Sequence, residues 1–91
     1  MNKYYEDKCL SNLIPLMHEV EAESHRQIKK WGIQNRTAFE WMTYLAEEMG
    51  SLAKAISEHE YRNGPRDKVV SEAVQVATLA LKIAEMFHYE P

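Results

Sequence analysis

The chain has few of the residues that end helices and almost none of the residue that forms disulfides. Its 91 residues include three glycines, three prolines and a single cysteine, Cys9. One cysteine excludes an internal disulfide, and we expect a reducing, cytoplasmic location. So few glycines and prolines allow few turns, which favours a small number of long helices over many short strands.

Long apolar runs and an excess of positive charge are also missing. No stretch approaches the roughly 20 apolar residues that span a bilayer, and the polar N-terminus lacks the apolar segment of a signal peptide. The formal net charge is -3, and no basic stripe dominates the sequence. We therefore expect no membrane partner and no nucleic-acid partner.

Hydrophobic periodicity divides the chain into three helical segments. We predict them over about residues 13–30, 37–60 and 66–87. Pro15 is tolerated near the start of a helix, which places the start of the first segment close to it. Thr37 and Glu40 have the spacing of a capping box, which predicts the start of the second. The acidic residues 19–23 are predicted to lie on the outer face of the first helix.

The third segment is apolar over most of its circumference. One apolar seam consists of Val69, Ala73, Val76, Ala80, Ile83 and Phe87. A second, adjacent apolar seam consists of Val70, Val74, Ala77, Leu81 and Ala84. The narrow polar strip that remains contains Ser71, Gln75, Thr78, Lys82 and Glu85. Such a helix is central, and two further helices of one chain hardly cover it. We predict a single all-α domain over residues 1–91, with its core at about 13–87. It is a helical bundle of three long helices with short terminal segments, completed by dimerisation or assembled as a homotetramer.

Two glutamates stand where apolar residues are expected. Glu48 interrupts the apolar stripe of the second helix, and Glu72 lies inside the strongly apolar third helix. Because burial of an unpaired charge is costly, such groups should be paired, neutralised or bound to a metal. Mg²⁺ prefers oxygen ligands, so the two acids suggest a cation site. The alternatives are surface acids that border the core, or an ion pair between helices.

The residues around both acids resemble a known family. Residues 45–56 are similar to the acidic helix of the MazG-like, all-α nucleoside triphosphate pyrophosphohydrolases, which carry Glu-Glu-x-x-Glu on one helix and Glu-x-x-Asp on the next. Residues 72–77 resemble the second motif. Residues 26–34 are similar to a stretch that precedes the acidic helix in phage- and prophage-type members. The similarity covers roughly residues 23–86, with the motifs in the expected order.

The resemblance implies hydrolysis of a (deoxy)nucleoside triphosphate to the monophosphate and pyrophosphate, with Mg²⁺ or Mn²⁺. Glu48 and Glu72 match acidic metal ligands of the family. Ser51 and Gln75 stand where its other two ligands are acids, and are either weak neutral ligands or polar groups of a site that has lost its metal. Glu47 matches the first glutamate and is the candidate general base on water.

A nucleotide would need groups that contact its base and its phosphates. Trp31 and Trp41 are candidates to stack on the base, although tryptophans at such positions are more often core or interface residues. Gln27 and Gln34 are candidates to read the base edge. The basic residues available for phosphates are Lys29, Lys30, Lys54, Arg62 and Arg66. Because two family acids are missing, a non-catalytic helical dimer that binds a nucleotide or a protein partner is the alternative, and a purely structural dimer is the third hypothesis.

Overall fold

A computed structural model describes the backbone of residues 3–89 and the side chains of residues 11–88. It contains three α-helices: α1 (Lys3–Trp31), α2 (Ala38–Arg62) and α3 (Arg66–Tyr89). The prediction of an all-α bundle of three long helices is confirmed. Of the short terminal segments, residues 1–2 and 90–91 lie outside the described part of the chain.

The first helix begins well before the predicted start. It runs from Lys3, so that Pro15 lies in its interior and not in its first turn. An internal proline lacks an N–H and crowds the carbonyl one turn earlier, which costs about 3 kcal/mol. A helix of 29 residues keeps enough other hydrogen bonds to continue through it. The Pro15 ring is exposed, away from the packed face.

The second helix begins and ends through local hydrogen bonds. The Thr37 hydroxyl accepts the Glu40 N–H at 3.1 Å, and the Glu40 carboxylate accepts the Thr37 N–H at 3.0 Å, which confirms the predicted capping box. At the other end, Asn63 adopts the left-handed conformation with φ 56°. The Gly64 N–H then donates to the Glu58 carbonyl at 2.9 Å, and this turn leads directly into α3.

The third helix is central, as predicted, because it packs against both α1 and α2. Within the described residues, α1 and α2 do not approach each other closely. The orientation of α3 differs from expectation, since the middle of its polar strip, from Gln75 to Lys82, faces inwards while Ser71 and Glu85 at its ends are exposed. Thr78 of that strip is fully buried, and its hydroxyl donates to the Val74 carbonyl at 2.7 Å. Most of the small and apolar residues of the two seams are exposed instead.

The described part of the chain therefore shows a large apolar surface. Its buried apolar side chains are Ala55, Val74 and Leu79, whereas many larger ones are exposed. The chain has an accessible surface of 7508 Å². A globular protein of this length would expose about 5,500 Å², so the whole chain has about 2,000 Å² more accessible surface, polar and apolar together, than a compact monomer. None of the described helices has the length and apolar character of a membrane span.

Candidate functional site

An open cleft of about 1010 Å³ lies between α1, the connection at residues 32–37 and the packed pair of α2 and α3. It exists because α1 and α2 each pack on α3 but not on each other. Its lining includes seven of the predicted site residues, namely Gln27, Trp31, Gln34, Trp41, Glu47, Glu48 and Gln75. The cleft thus gathers groups from all three helices and from the loop.

The structure brings Glu48 and Glu72 together in the seam between α2 and α3. The two side chains are close enough for each carboxyl group to shift the pKa of the other. Glu72 is only 6% exposed, and Glu48 is half-buried and lines the cleft. The Oε2 atoms of both side chains are shielded from solvent and have no hydrogen-bond partner in the described structure. Two shielded carboxyl oxygens thus remain unsatisfied between α2 and α3, and of the two residues Glu48 lines the cleft whereas Glu72 lies behind it.

The two carboxyls titrate in opposite directions. Burial, and then the neighbouring Glu72, raise the pKa of Glu48. The Lys68 ammonium lies 2.9 Å from Glu72 Oε1, and this contact lowers the pKa of Glu72 despite its burial. Glu72 is therefore the ionised member of the pair, and Glu48 is the member that retains a proton to higher pH.

Glu23 is a third acid near the pair that the sequence analysis placed wrongly. Its side chain is 15% exposed and lines the cleft, and its charge also raises the pKa of Glu48. It accepts hydrogen bonds from Arg26 at 2.6 and 3.0 Å and from Gln27 at 3.1 Å. The outer-face prediction was wrong here because α1 turns a largely polar face inwards. Hydrogen-bonding partners three and four residues after Glu23 were the available signal.

The remaining predicted ligands and bases are more dispersed. Gln75 is half-buried and lines the cleft, and Glu47 is exposed at its edge. Ser51 and Lys54 are exposed and do not line it. Among the described residues, no group of three or more acidic, histidine or cysteine side chains is arranged to hold a metal ion. The pair formed by Glu48 and Glu72 is thus the acidic centre of the site.

The loop side of the cleft carries aromatic and basic groups. The Trp41 and Tyr44 rings pack edge to face, with centroids 6.4 Å apart. The Arg36 guanidinium lies 4.8 Å from the Tyr44 centroid and 5.9 Å from that of Trp41. Lys30 lies 4.8 Å above the Trp31 ring. The sequence analysis assigned no role to Arg36 or Tyr44, since nothing in their spacing shows that the loop folds back over α2.

No family model matches this chain, and neither a search of curated proteins nor a search of solved structures finds a match. The resemblance to the MazG-like family accordingly depends on the motif residues alone. The function is argued below from the acidic pair and the cleft.

Proposed function

We propose that the cleft binds a (deoxy)nucleoside triphosphate, and that the protein hydrolyses it to the monophosphate and pyrophosphate with Mg²⁺ or Mn²⁺. The observation that supports this most is that the Glu48 and Glu72 side chains lie close together between α2 and α3, beside an open cleft. Each has a carboxyl oxygen without a hydrogen-bond partner among the described residues. The same cleft carries aromatic rings and cationic side chains, which suit a base and its phosphates.

The donor set fits a divalent cation that arrives with its substrate. Mg²⁺ is commonly held by one or two carboxylates, and water and substrate phosphates take the other positions. Glu48 and Glu72 would be the protein's carboxylate ligands, with Gln75 as a neutral oxygen donor. Ser51 is left out of this set because its side chain is exposed and does not line the cleft, whereas Glu72, which does not line it either, is buried beside Glu48. The bound ion would polarise a phosphoryl oxygen and offset the charge that develops on it.

The chain's own side chains would supply orientation and proton transfer. Glu47 is exposed at the cleft edge, where a carboxylate can accept a proton from an attacking water. Trp31 is 57% exposed and lines the cleft, so its indole offers a face to a base. Gln27 lies beside it, and its amide nitrogen is held by Glu23, so its carbonyl oxygen remains to accept a hydrogen bond from a base edge.

The direct test is release of pyrophosphate from a panel of ribo- and deoxyribonucleoside triphosphates with Mg²⁺ or Mn²⁺. We expect activity with at least one nucleotide and its loss in Glu48→Gln, which keeps the shape but weakens the ligand. Glu60→Gln is the matched control, since this exposed acid lies at the end of α2 outside the cleft. A panel in which no nucleotide exceeds the Glu48→Gln background would reject hydrolysis.

One observation favours a second function, binding without turnover. Lys68 already pairs with Glu72, and no third acidic ligand completes a metal cage among the described residues. A protein of this kind would hold a nucleotide or a protein partner in the cleft without cleaving it. A nucleotide should then raise the melting temperature equally with Mg²⁺ and with EDTA, while no pyrophosphate is released. Stabilisation that requires the metal supports the enzyme instead.

We also propose that a second copy of the chain covers the outer apolar surface. The outward stripe of α2 is uncharged and contains Phe39, Met42, Ala46, Met49, Ala53 and Ile56. The excess of about 2,000 Å² per chain would amount to about 4,000 Å² over both chains of a dimer, which lies in the range that obligate homodimer interfaces bury. Sedimentation or light scattering should show a dimer for the native chain and a monomer for Met49→Glu. A native monomer at micromolar concentration would exclude this assembly.

A further inference from the structure

Arg36 is held in a fixed orientation at the cleft. Its side chain is 28% exposed, and its Nε donates to the Gln34 side-chain oxygen at 3.0 Å. Its guanidinium lies above the Tyr44 ring and beside the Trp41 ring. A guanidinium that is supported on an aromatic surface and held at Nε loses little freedom when it binds a ligand.

Most donors of this guanidinium are still available. Its Nη1 lies 3.8 Å from Glu40 Oε2, which is too long for a hydrogen bond. The other Glu40 oxygen accepts the Thr37 N–H, a contact that lowers the pKa of Glu40 and ties it to the start of α2. No hydrogen bond of the described structure uses Arg36 Nη2. The outer edge of Arg36 can therefore form a bidentate contact with an anion.

The other arginine of the cleft differs in this respect. Arg26 donates from Nε and Nη2 to a single oxygen of Glu23, at 3.0 and 2.6 Å. Its charge is neutralised within α1 through two hydrogen bonds, whereas Arg36 forms a longer ion pair of 3.8 Å with Glu40 and keeps donors that face the cleft. Tyr44 lies one helical turn before Glu48, a rise of about 6 Å along α2. A cation at the acidic pair and the guanidinium above Tyr44 can thus engage neighbouring phosphates of one polyphosphate chain.

We propose that Arg36 is the phosphate-binding residue of the cleft, positioned by Gln34 on the aromatic pair Trp41–Tyr44. The identity of the anion as a nucleotide phosphate rests on the proposed function, but the anion site itself does not require turnover. In this arrangement Trp41 flanks Arg36 and does not stack on the base. The exposed face of Trp31 remains as the position for a base.

The test is calorimetric binding in the presence of Mg²⁺ with two probes. One is inorganic tripolyphosphate, and the other is a nucleoside triphosphate whose α,β-methylene linkage resists the proposed cleavage. Arg36→Ala should weaken both by about tenfold or more, as expected for loss of a charge-assisted contact. Arg36→Lys should restore only part of the affinity, because an ammonium lacks the planar fork. Lys54→Ala removes the same charge outside the cleft and should bind as the native chain does.

A further variant separates the anion site from a folding defect. Gln34→Leu leaves the net charge unchanged and removes the acceptor of Arg36 Nε, so it should weaken both probes by a few-fold while circular dichroism stays native. Binding of tripolyphosphate that depends on Arg36, without any nucleotide hydrolysis, supports the anion site and rejects the proposed reaction. Hydrolysis and binding that are unchanged in Arg36→Ala overturn the anion site and leave the reaction standing. An equal loss in Lys54→Ala also overturns it.

Discussion

The acidic pair should reduce the stability of the metal-free protein at neutral pH, and Glu48→Gln should restore it. Two carboxyls that face each other in a helix seam, each with a shielded oxygen, leave acceptors without donors. A glutamine at this position removes the charge and supplies an N–H₂ donor toward Glu72. Satisfying a buried polar group of this kind is worth about 1–3 kcal/mol. Each kcal/mol should raise the melting temperature by about 4–8 °C in a domain of this size.

The gain should depend on pH in a defined direction. Burial and Glu72 raise the pKa of Glu48 in the folded state above its unfolded value. A carboxyl of this kind stabilises the fold fully below its unfolded pKa, and the contribution is lost as the pH rises through the folded pKa. Glu48→Gln should therefore match the native chain near pH 4 and exceed it increasingly toward pH 8.

Urea denaturation with EDTA, repeated from about pH 4 to pH 8, measures this difference. Glu60→Gln is the matched control, because this acid is exposed at the end of α2 and its charge is not among those that raise the pKa of Glu48. Mn²⁺ should stabilise the native chain and leave Glu48→Gln unaffected. If Glu48→Gln were less stable than the native chain at pH 8, the Oε2 atoms must have partners in solution, and the reasoning about the pair would be wrong.

Two further substitutions test other contacts. Lys68→Met should lower the melting temperature at neutral pH, because Glu72 loses the ammonium that lowers its pKa. The difference in melting temperature between this variant and the native chain should disappear as the pH falls through the folded pKa of Glu72. The control Lys54→Met should show no such pH dependence. Gly32→Ala should cost about 1 kcal/mol in urea denaturation from backbone strain alone, since Gly32 has φ 76° and no atom lies within 4 Å of an added Cβ; an unchanged unfolding midpoint would refute the strain.

The parts of the fold that depend on neighbouring residues were predictable from the sequence. The capping box at Thr37 and the break at residues 63–65 require only contacts within one helical turn, and both are present in the structure. The start of α1 was predicted too late in the chain, because prolines occur on average in the first turn of a helix and Pro15 does not follow that average. In α1 the hydrogen bonds on both sides of Pro15 outweigh its local cost.

Which face of each helix packs inwards was harder to predict. α3 is apolar nearly all round, so its periodicity does not distinguish the face that meets α1 from the face that stays exposed. The buried position of Thr78 and the inward position of Glu23 follow from how the three helices pack together, which no local pattern encodes. Arg36 was missed for the same reason, since its contacts depend on a loop that folds back over α2.

The acidic pair was detectable because a charge in an apolar stripe conflicts with the surrounding pattern, and such conflicts tend to mark functional positions. An acidic residue in this part of α2 does not have to be partly buried, because the adjacent Glu47 is exposed to solvent. Buried ionic groups can often be replaced by apolar ones with no loss of stability, so folding alone does not require Glu48 and Glu72 to meet. A ligand that supplies positive charge to their unsatisfied oxygens gives the arrangement a physical reason. This is why the Mn²⁺ response of the native chain, compared with Glu48→Gln, separates a functional site from a structural defect.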